Sequence, residues 1–498
     1  MNTEEKITRF REWKKKCAAY QMVLSTTHFD KETIAPEMGS AYRNEKLSIM
    51  SGEAYKVECD KEIIQIIEEL SKEDLGEEMN REIYLNKKML ESVSKFSEEE
   101  TVAFDKLCLD GWDAWYQGKK NNDYAVFEPY LKKLFAAVKE RALRRAPDKD
   151  PYDTCLDDFE ENMTRAKYDE FFNLIKEELI PLIRQVNAKQ EAIDDSFLHL
   201  HYPIEKQKEF GKILNRYMGF EKWGYMGESE HPFTNGISRN DVRITTRYDQ
   251  DNITFAIFST IHETGHAYYE HNIDARYDDM SIRTAISSGM HESQSRFLEN
   301  YIGRSEAFWK TLYPKLQELF PENLGNITLE QFVRAINKAG SSLIRTEADE
   351  LTYPLHILIR YEIEKGVFEG SIPTDHLNEV WKEKYKEYLG IDVPSETEGI
   401  LQDVHWSQAS FGYFPTYALG SAIGAQLFDT IRKQIDIDKL LAENRFAELE
   451  EYLREHVHYD AALHDYNYIV KRATGREFDP HCYTDYLKEK YKKLYQID

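Results

Sequence analysis

The sequence has few cysteines, and they follow no metal-binding or disulfide pattern. Its 498 residues include five cysteines, an odd number that contains no CxxC pair. They are Cys17, Cys59, Cys108, Cys155 and Cys482. This usage argues against a disulfide framework and against a thiolate zinc site. It favours a reducing, cytoplasmic environment.

Long apolar runs and net positive charge are also missing. No stretch approaches the roughly 18 consecutive apolar residues typical of a transmembrane helix. The N-terminal segment MNTEEKITRFREWKKK has no apolar core and no small-residue cleavage site, so we expect no signal peptide. A formal net charge of −25 argues against nucleic acid or an anionic membrane as the main partner. The simplest interpretation of this charge is a solvated acidic surface.

Helix-breaking residues are scarce, with 23 Gly and 14 Pro, and no Gly/Ser/Pro-rich linker marks a boundary. Most windows space their apolar residues as an amphipathic helix does, for example residues 168–186. The acidic run 98–100 is typical of a first helical turn, with Ser97 as its cap. Residues 241–248, DVRITTRY, instead predict a short strand. We therefore predict a mainly α, single catalytic domain over residues 1–498, with a small β-sheet beside the helix discussed next.

Residues 262–266 read His-Glu-Thr-Gly-His, a pattern that carries zinc hydrolase chemistry. Histidines at positions i and i+4 share one face of a helix, so His262 and His266 can bind one ion. Glu263 lies one position further round, where a carboxylate can accept a proton from a water on that ion. The alternative is a pair of surface histidines on a solvated helix. The apolar flanks IFSTI and AYYE favour a buried helix instead.

A third ligand is needed, and the sequence does not follow the metzincin pattern HExxHxxGxxH, which would supply another histidine. Position 269 is Tyr and position 272 is Asn, so we expect a carboxylate from a later helix. The acids that follow are Glu270, Asp274, Asp278, Asp279, Glu292 and Glu299. Glu292 lies in a fresh helical segment with Ser287 or Ser288 as a possible cap. Spacing alone leaves two roles for it open, as a ligand or as an i,i+4 partner of Arg296.

Six motifs in order give the chain a family resemblance. They are HPF at 231–233, DxRxT at 241–245, HExxH at 262–266, HESQSR at 291–296, IRxxAD at 344–349 and GxxQDxHW at 399–406. With these motifs the sequence closely resembles the carboxypeptidase Taq family of metallocarboxypeptidases. The resemblance runs from HFDKETIAPEMGSAYR near the N-terminus to YTDYLKEKYKKLY near the C-terminus. It departs at Phe29, where the family usually has Trp, at FEENMT (159–164), and in the loop 273–286, which lacks the usual Pro and Gly.

The resemblance implies zinc, or cobalt in its place, bound by His262, His266 and Glu292. It also implies a helical fold with a long deep groove, a homodimer, and peptide substrates. The implied activity is the removal of single C-terminal residues with broad specificity, sparing proline. Two alternatives remain: a zinc endo-oligopeptidase of the same chemistry, and a helical interaction protein with a decayed site.

Peptide hydrolysis builds negative charge on the carbonyl oxygen, and protein donors are needed to stabilise it. His405 and Tyr417 are the candidates, with Tyr413 behind them, because the resemblance places their segment across the groove. The competing role for both tyrosines is core packing.

A carboxypeptidase must also bind the terminal carboxylate of its substrate, and arginine offers a planar fork for it. Arg345 and Arg243 both lie in family motifs and are the candidates. An i,i+4 pair between Arg345 and Asp349 is the competing interpretation. His231 and Phe233 are expected to close one end of the groove, although a buried structural role for His231 is equally open.

Overall fold

The computed structural model describes residues 1–497 and is built mainly of helices. Twenty-one α-helices occur in this range. They are α1 (Thr3–Thr33), α2 (Ser40–Glu58), α3 (Lys61–Leu70), α4 (Glu77–Ser94), α5 (Glu98–Asn121), α6 (Tyr124–Arg145), α7 (Pro151–Phe159), α8 (Arg165–Asn187), α9 (Ile204–Tyr217), α10 (Ile253–Asn272), α11 (Ser288–Arg296), α12 (Glu306–Leu319), α13 (Pro321–Leu324), α14 (Leu329–Ile336), α15 (Tyr353–Glu369), α16 (Leu377–Leu389), α17 (Pro415–Gln434), α18 (Ile437–Ala442), α19 (Phe446–Leu453), α20 (Tyr466–Thr474) and α21 (His481–Tyr495). The predicted mainly α fold class is confirmed.

Short irregular helices connect several of these elements. The 3₁₀ segments are Glu37–Gly39, Gln190–Ala192, Ser196–His199, Phe220–Lys222, Ala275–Tyr277, Arg345–Glu347 and His405–Gln408. Two segments are π-helical, Phe297–Ile302 and Arg454–His458.

Local sequence signals explain where individual helices begin. Ser97 caps α5 by accepting the N–H of Glu100, and the Glu100 side chain accepts the N–H of Ser97 in return. The acidic run 98–100 therefore forms a first turn, as predicted. The periodic segment 168–186 lies inside α8, which confirms that prediction as well.

A three-stranded sheet lies beside α10. Its strands are β1 (Gly224–Glu228), β2 (Thr234–Ser238) and β3 (Asp241–Thr246), and β3 is central. Strand β3 pairs in parallel with β1 and antiparallel with β2. Its alternate residues Val242 and Ile244 are buried and pack in one cluster with Ala267 of α10. The strand predicted over 241–248 is therefore confirmed for residues 241–246, and it fixes the sheet against the motif helix.

The main apolar core lies under α10, α11, α15 and α17. Helix α15 is buried on nearly all sides, as expected for a helix without a polar face. A smaller, separate cluster joins α1, α3 and α4 around Phe10, Trp13 and Ile67. None of the helices in residues 1–497 combines the length and apolar character needed to cross a bilayer. The five cysteines are free thiols.

Candidate metal centre

Helix α10 carries the HExxH segment and turns its two histidines toward the same point. Asn252 caps this helix by accepting the N–H of Thr254. The rings of His262 and His266, one turn apart, have centroids 4.9 Å apart. Because they share a face of the helix, a single ion can reach both.

Glu292 of α11 completes a cluster of three potential ligands. Its Oε2 lies 3.7 Å from His262 Nε2 and 3.4 Å from His266 Nε2. Ligands of a tetrahedral ion with bonds of about 2.0–2.1 Å lie roughly 3.3 Å apart, so these side chains fit an ion of zinc size. Within residues 1–497, this is the only group of three or more His, Cys, Asp or Glu side chains found at metal-binding distances.

The two oxygens of Glu292 have different partners. Oε1 accepts a hydrogen bond from Arg296 Nε at 2.7 Å, whereas Oε2 faces the histidines. The i,i+4 pair with Arg296 is therefore present together with the ligand geometry. Burial would raise the pKa of Glu292, but Arg296 and the histidines outweigh it and hold that pKa well below its ordinary value. The carboxylate is thus kept ionised.

Two glycines allow α11 to approach its neighbours closely enough to bring Glu292 to the histidines. A Cβ on Gly265, inside the HExxH segment, would come within 2.5 Å of Ser295 Cα. A Cβ on Gly420 of α17 would come within 2.8 Å of Glu292 Cβ. Helix α11, capped by Ser287 as predicted, is therefore held between α10 and α17.

Glu299 orients His262 from behind. It lies in the π-helix Phe297–Ile302 that continues α11, and its Oε2 is 2.8 Å from His262 Nδ1. A proton shared with this carboxylate resides on Nδ1, which leaves the Nε2 lone pair free for a metal. Burial raises the pKa of Glu299, yet Arg296 and His262 lower it to about 2 overall. Sequence spacing placed Glu299 only among the possible ligands, and this supporting role was missed.

Glu263 is buried beside the cluster, with 7% of its surface exposed. Thr234 of β2 donates a hydrogen bond from Oγ1 to Glu263 Oε2 at 2.6 Å. Burial raises the pKa of Glu263, and this makes the carboxylate a stronger base. Thr234 was not predicted, because it is distant in sequence and only the sheet beside α10 brings it close.

A groove of about 1830 Å³ opens over the cluster. Tyr413 and Tyr417 both line it, together with the three ligand candidates and Glu263. His405 is not among the lining residues and lies behind Tyr417, with 3.3 Å between its Nε2 and the phenol oxygen. Burial lowers the pKa of His405 to about 4, so the ring is neutral near pH 7. The order of these side chains differs from the prediction, which placed Tyr413 behind the other two.

Arg345 also lines the groove, and its main partner is Asp403. Arg345 donates from Nε and Nη2 to Asp403 Oδ1 at 3.0 and 2.8 Å. The second carboxylate oxygen accepts from Arg360. Asp349 accepts backbone N–H groups, among them those of Gly340 and Leu351. The competing interpretation, an i,i+4 pair between Arg345 and Asp349, is therefore wrong. Such a pair needs a continuous helix, whereas Arg345–Glu347 form a 3₁₀ turn and Ala348 is extended.

A comparison with protein families decides the class of this protein. The family model of the carboxypeptidase Taq (M32) metallopeptidases matches residues 9–491. The chain belongs to this family. As an M32 metallocarboxypeptidase it is an enzyme, and its dependence on a divalent metal follows from the family.

Relatives of this M32 carboxypeptidase match it over nearly its whole length. Carboxypeptidase 1 of Bacillus subtilis (strain 168) is 40% identical over 488 residues, which is 97% of each chain. Thermostable carboxypeptidase 1 of Thermus thermophilus is 32% identical over 482 residues, or 94% of each chain. The crystal structure of the M32 carboxypeptidase from Deinococcus radiodurans R1 superposes with a TM-score of 0.95 at 30% identity. That match covers 99% of this chain and 100% of the other.

In the M32 carboxypeptidase, the three remaining candidates, His231, Phe233 and Arg243, lie in different places. His231 and Phe233 line the groove, and Phe233 packs against Phe29 with ring centroids 5.8 Å apart. Arg243 is absent from the lining and forms a two-pronged pair with Asp241, with both distances at 2.8 Å. Its guanidinium lies over the ring of Phe29. Arg243 therefore packs behind the groove lining, where it contacts Phe29, the ring that supports Phe233.

Proposed function

We propose that this carboxypeptidase releases single C-terminal residues from peptides, with broad specificity, at a zinc ion. His262, His266 and Glu292 would hold the ion. The observation that carries the proposal is the three-ligand cluster on the groove wall, with a buried carboxylate, Glu263, beside it. Imidazole nitrogen and carboxylate oxygen suit zinc, and cobalt accepts the same donors.

The chain's own residues supply the proton transfers. A bound ion would act as a Lewis acid toward the water and the scissile carbonyl. Glu263, with its raised pKa, accepts the proton of the attacking water and then donates it to the leaving amine. Thr234 holds one oxygen of Glu263, so the carboxylate keeps a fixed direction.

Tyr417 is placed to stabilise the negative charge that grows on the carbonyl oxygen. Tyr417 lines the groove, and the neutral ring of His405 contacts its hydroxyl from the side away from the groove. With its proton on Nε2, His405 donates to the phenol oxygen and leaves the O–H of Tyr417 to donate to the carbonyl oxygen. Tyr413 packs edge-on against Tyr417, with ring centroids 5.2 Å apart, and forms the adjoining wall.

Arg345 is the side chain proposed to bind the C-terminal carboxylate of the substrate. Asp403 uses the Nε edge of the guanidinium, and Tyr353 accepts one N–H from Nη1 at 3.2 Å. Of the five N–H groups, one on each terminal nitrogen is left for a ligand in the groove. A carboxylate has two oxygens, so one remaining N–H on each terminal nitrogen is enough to donate to both of them.

Two further features complete the proposal. The exposed faces of α1 and α2 and the turn between them carry several large apolar residues, and a homodimer contact there would cover them. They include Met22, Ile34, Met38, Tyr42 and Ile49.

The five free thiols support a reducing cytoplasmic location.

Mass spectrometry of a mixed peptide pool tests the proposed function. The expected result is a ladder of products, each shorter by one C-terminal residue, that disappears when a chelator is added and returns with Zn²⁺. Peptides that carry a C-terminal amide should survive. Internal fragments released from amidated peptides would contradict the proposal and favour a zinc endo-oligopeptidase.

A further inference from the structure

A third histidine lies behind the metal centre, on the side of His266 away from Glu292. His266 turns Nε2 toward Glu292, and its Nδ1 is in hydrogen-bond contact with Nδ1 of His291. The two rings are tilted, with centroids 4.5 Å apart. On the far side, His291 Nε2 lies 3.1 Å from Glu270 Oε1. The three side chains form a continuous line from a ligand candidate to a carboxylate.

Counting protons fixes the direction of every hydrogen bond in this line. If Nε2 of His266 gives its lone pair to an ion, the neutral ring carries its proton on Nδ1. That proton must be donated to His291, so Nδ1 of His291 is an acceptor and its own proton lies on Nε2. Glu270 accepts this second proton. The carboxylate therefore selects the one tautomer of His291 that is compatible with a metal on His266.

The position of Glu270 depends on a glycine in the neighbouring strand. A Cβ on Gly236 of β2 would lie 2.5 Å from Glu270 Oε2 and 2.8 Å from its Cδ. Any larger residue at 236 would therefore displace the carboxylate. Arg283 supplies the nearest positive charge, 3.8 Å from Glu270 Oε2. The strand, the loop and α10 thus hold the carboxylate in one place, where His291 reaches it.

We propose that His291 and Glu270 are positioning residues that prepare His266 to bind the metal. This inference rests on the proposed function, because it requires His266 to be a ligand. The two ligand histidines then differ, since His262 contacts the Glu299 carboxylate directly whereas His266 reaches a carboxylate through a second imidazole. His291 is not a ligand itself, because both of its ring nitrogens are engaged behind His266.

Zinc affinity is the quantity that this arrangement controls. Loss of a partner that orients a ligand typically weakens metal binding by roughly 10- to 100-fold. Glu270→Gln keeps the shape of the side chain, but an amide donates as readily as it accepts and no longer selects the tautomer. Gly236→Ala displaces the Glu270 carboxylate without changing any charge. Both variants should therefore bind Zn²⁺ about ten-fold or more weakly.

The matched control is Asp278→Asn, which removes a carboxylate 3.5 Å from the same Arg283 but outside the line to His266. It should leave zinc affinity unchanged. His291→Asn keeps an acceptor oxygen near the position of Nδ1 and loses the contact with Glu270. In that background, adding Glu270→Gln should weaken zinc binding no further, because the path between them is already broken.

The experiment is a competition of purified apoprotein against a chromophoric zinc chelator, with thermal unfolding measured for each variant with and without Zn²⁺. The proposal predicts that Glu270→Gln and Gly236→Ala reduce zinc affinity and reduce the rise in Tm that zinc gives. A purely structural role would lower the Tm of the apoprotein and leave zinc affinity as in wild type, and that result overturns the proposal. Additive losses in the double variant overturn it as well. His266→Ala distinguishes a failure of the proposed metal site from a failure of this inference. If His266→Ala keeps full zinc affinity, the proposed metal site is wrong. If His266→Ala loses zinc while Glu270→Gln does not, only the positioning role of His291 and Glu270 fails.

Discussion

Replacing Arg345 with alanine should remove most of the preference for a free C-terminal carboxylate. The guanidinium has N–H groups on both terminal nitrogens that neither Asp403 nor Tyr353 uses. A hydrogen bond to a charged group contributes about 1.5–3 kcal/mol. With about 1.4 kcal/mol per decade of rate, loss of the contact should reduce kcat/KM for the free acid by roughly 10- to 100-fold.

Arg345→Ala should reduce the free energy of unfolding by less than the loss of one partner from a buried ion pair usually does. Removing one partner of an isolated buried pair costs about 3–5 kcal/mol, because a charge is left unpaired. Asp403 keeps a second partner, since Arg360 Nε donates to its Oδ2 at 2.7 Å. Thermal unfolding should therefore show a smaller loss of stability than that. Arg345→Lys should recover only part of the activity, because an ammonium lacks the fork.

The assay compares a peptide with a free C-terminus and the same peptide as its amide, using wild type, Arg345→Ala and a control. Arg247→Ala is the control, because Arg247 is another arginine that lines the groove. Unlike Arg345, its side chain is half-exposed, and its acidic partner Glu230 lies 3.7 Å away. The ratio of kcat/KM for acid and amide should collapse in Arg345→Ala and stay unchanged in Arg247→Ala. If Arg345→Ala slows both substrates by the same factor, the arginine only supports the loop through Asp403 and the reasoning is refuted.

Two further outcomes follow from the site, and a third from Glu160, a buried carboxyl group outside the groove that accepts the N–H of Gly289 in α11. Glu292→Gln should weaken zinc binding roughly ten-fold or more in chelator competition, and full retention would point to another acid as ligand. Gly265→Ala forces α10 away from α11, so we expect a stability loss of about 1–3 kcal/mol in urea unfolding together with weaker zinc binding. Burial raises the pKa of Glu160 from 4.5 to about 8, so the folded chain binds a proton that the unfolded chain has lost. The stability from this proton is fully present below pH 4.5 and is lost as the pH rises through about 8, so Glu160→Gln should flatten the fall in unfolding free energy over that range. An unchanged pH slope would contradict that assignment.

Local patterns in the sequence were enough to predict much of the fold. The cap at Ser97, the periodicity in α8 and the β-branched run at 241–248 each depend on neighbouring residues. The first two predictions are confirmed, and the strand is confirmed for residues 241–246. The helical spacing of His262 and His266 likewise predicts a shared face, since i and i+4 lie one turn apart.

Contacts between distant segments could not be derived from such patterns. Thr234 reaches Glu263 only because β2 joins a sheet packed on α10, and no spacing rule connects the two positions. For Arg345, sequence spacing offered only Asp349, four residues away, as a competing partner within the protein, and that pair requires a helix through both residues. A turn at 345–347 instead leaves the arginine free to meet Asp403, 58 residues later. The selection of Glu292 over its neighbouring acids depended on the family resemblance for the same reason.

The most direct test of the proposed chemistry is the zinc content and turnover of Glu263→Gln, measured on the same purified sample. Glu263 is buried beside the ligand cluster and accepts a hydrogen bond from Thr234, and it is not one of the three candidate ligands. We predict one equivalent of zinc per chain, an unchanged Tm, and a fall in kcat of roughly 10²–10⁴-fold, because only proton transfer is lost. Loss of the zinc, or turnover close to that of wild type, would contradict the account.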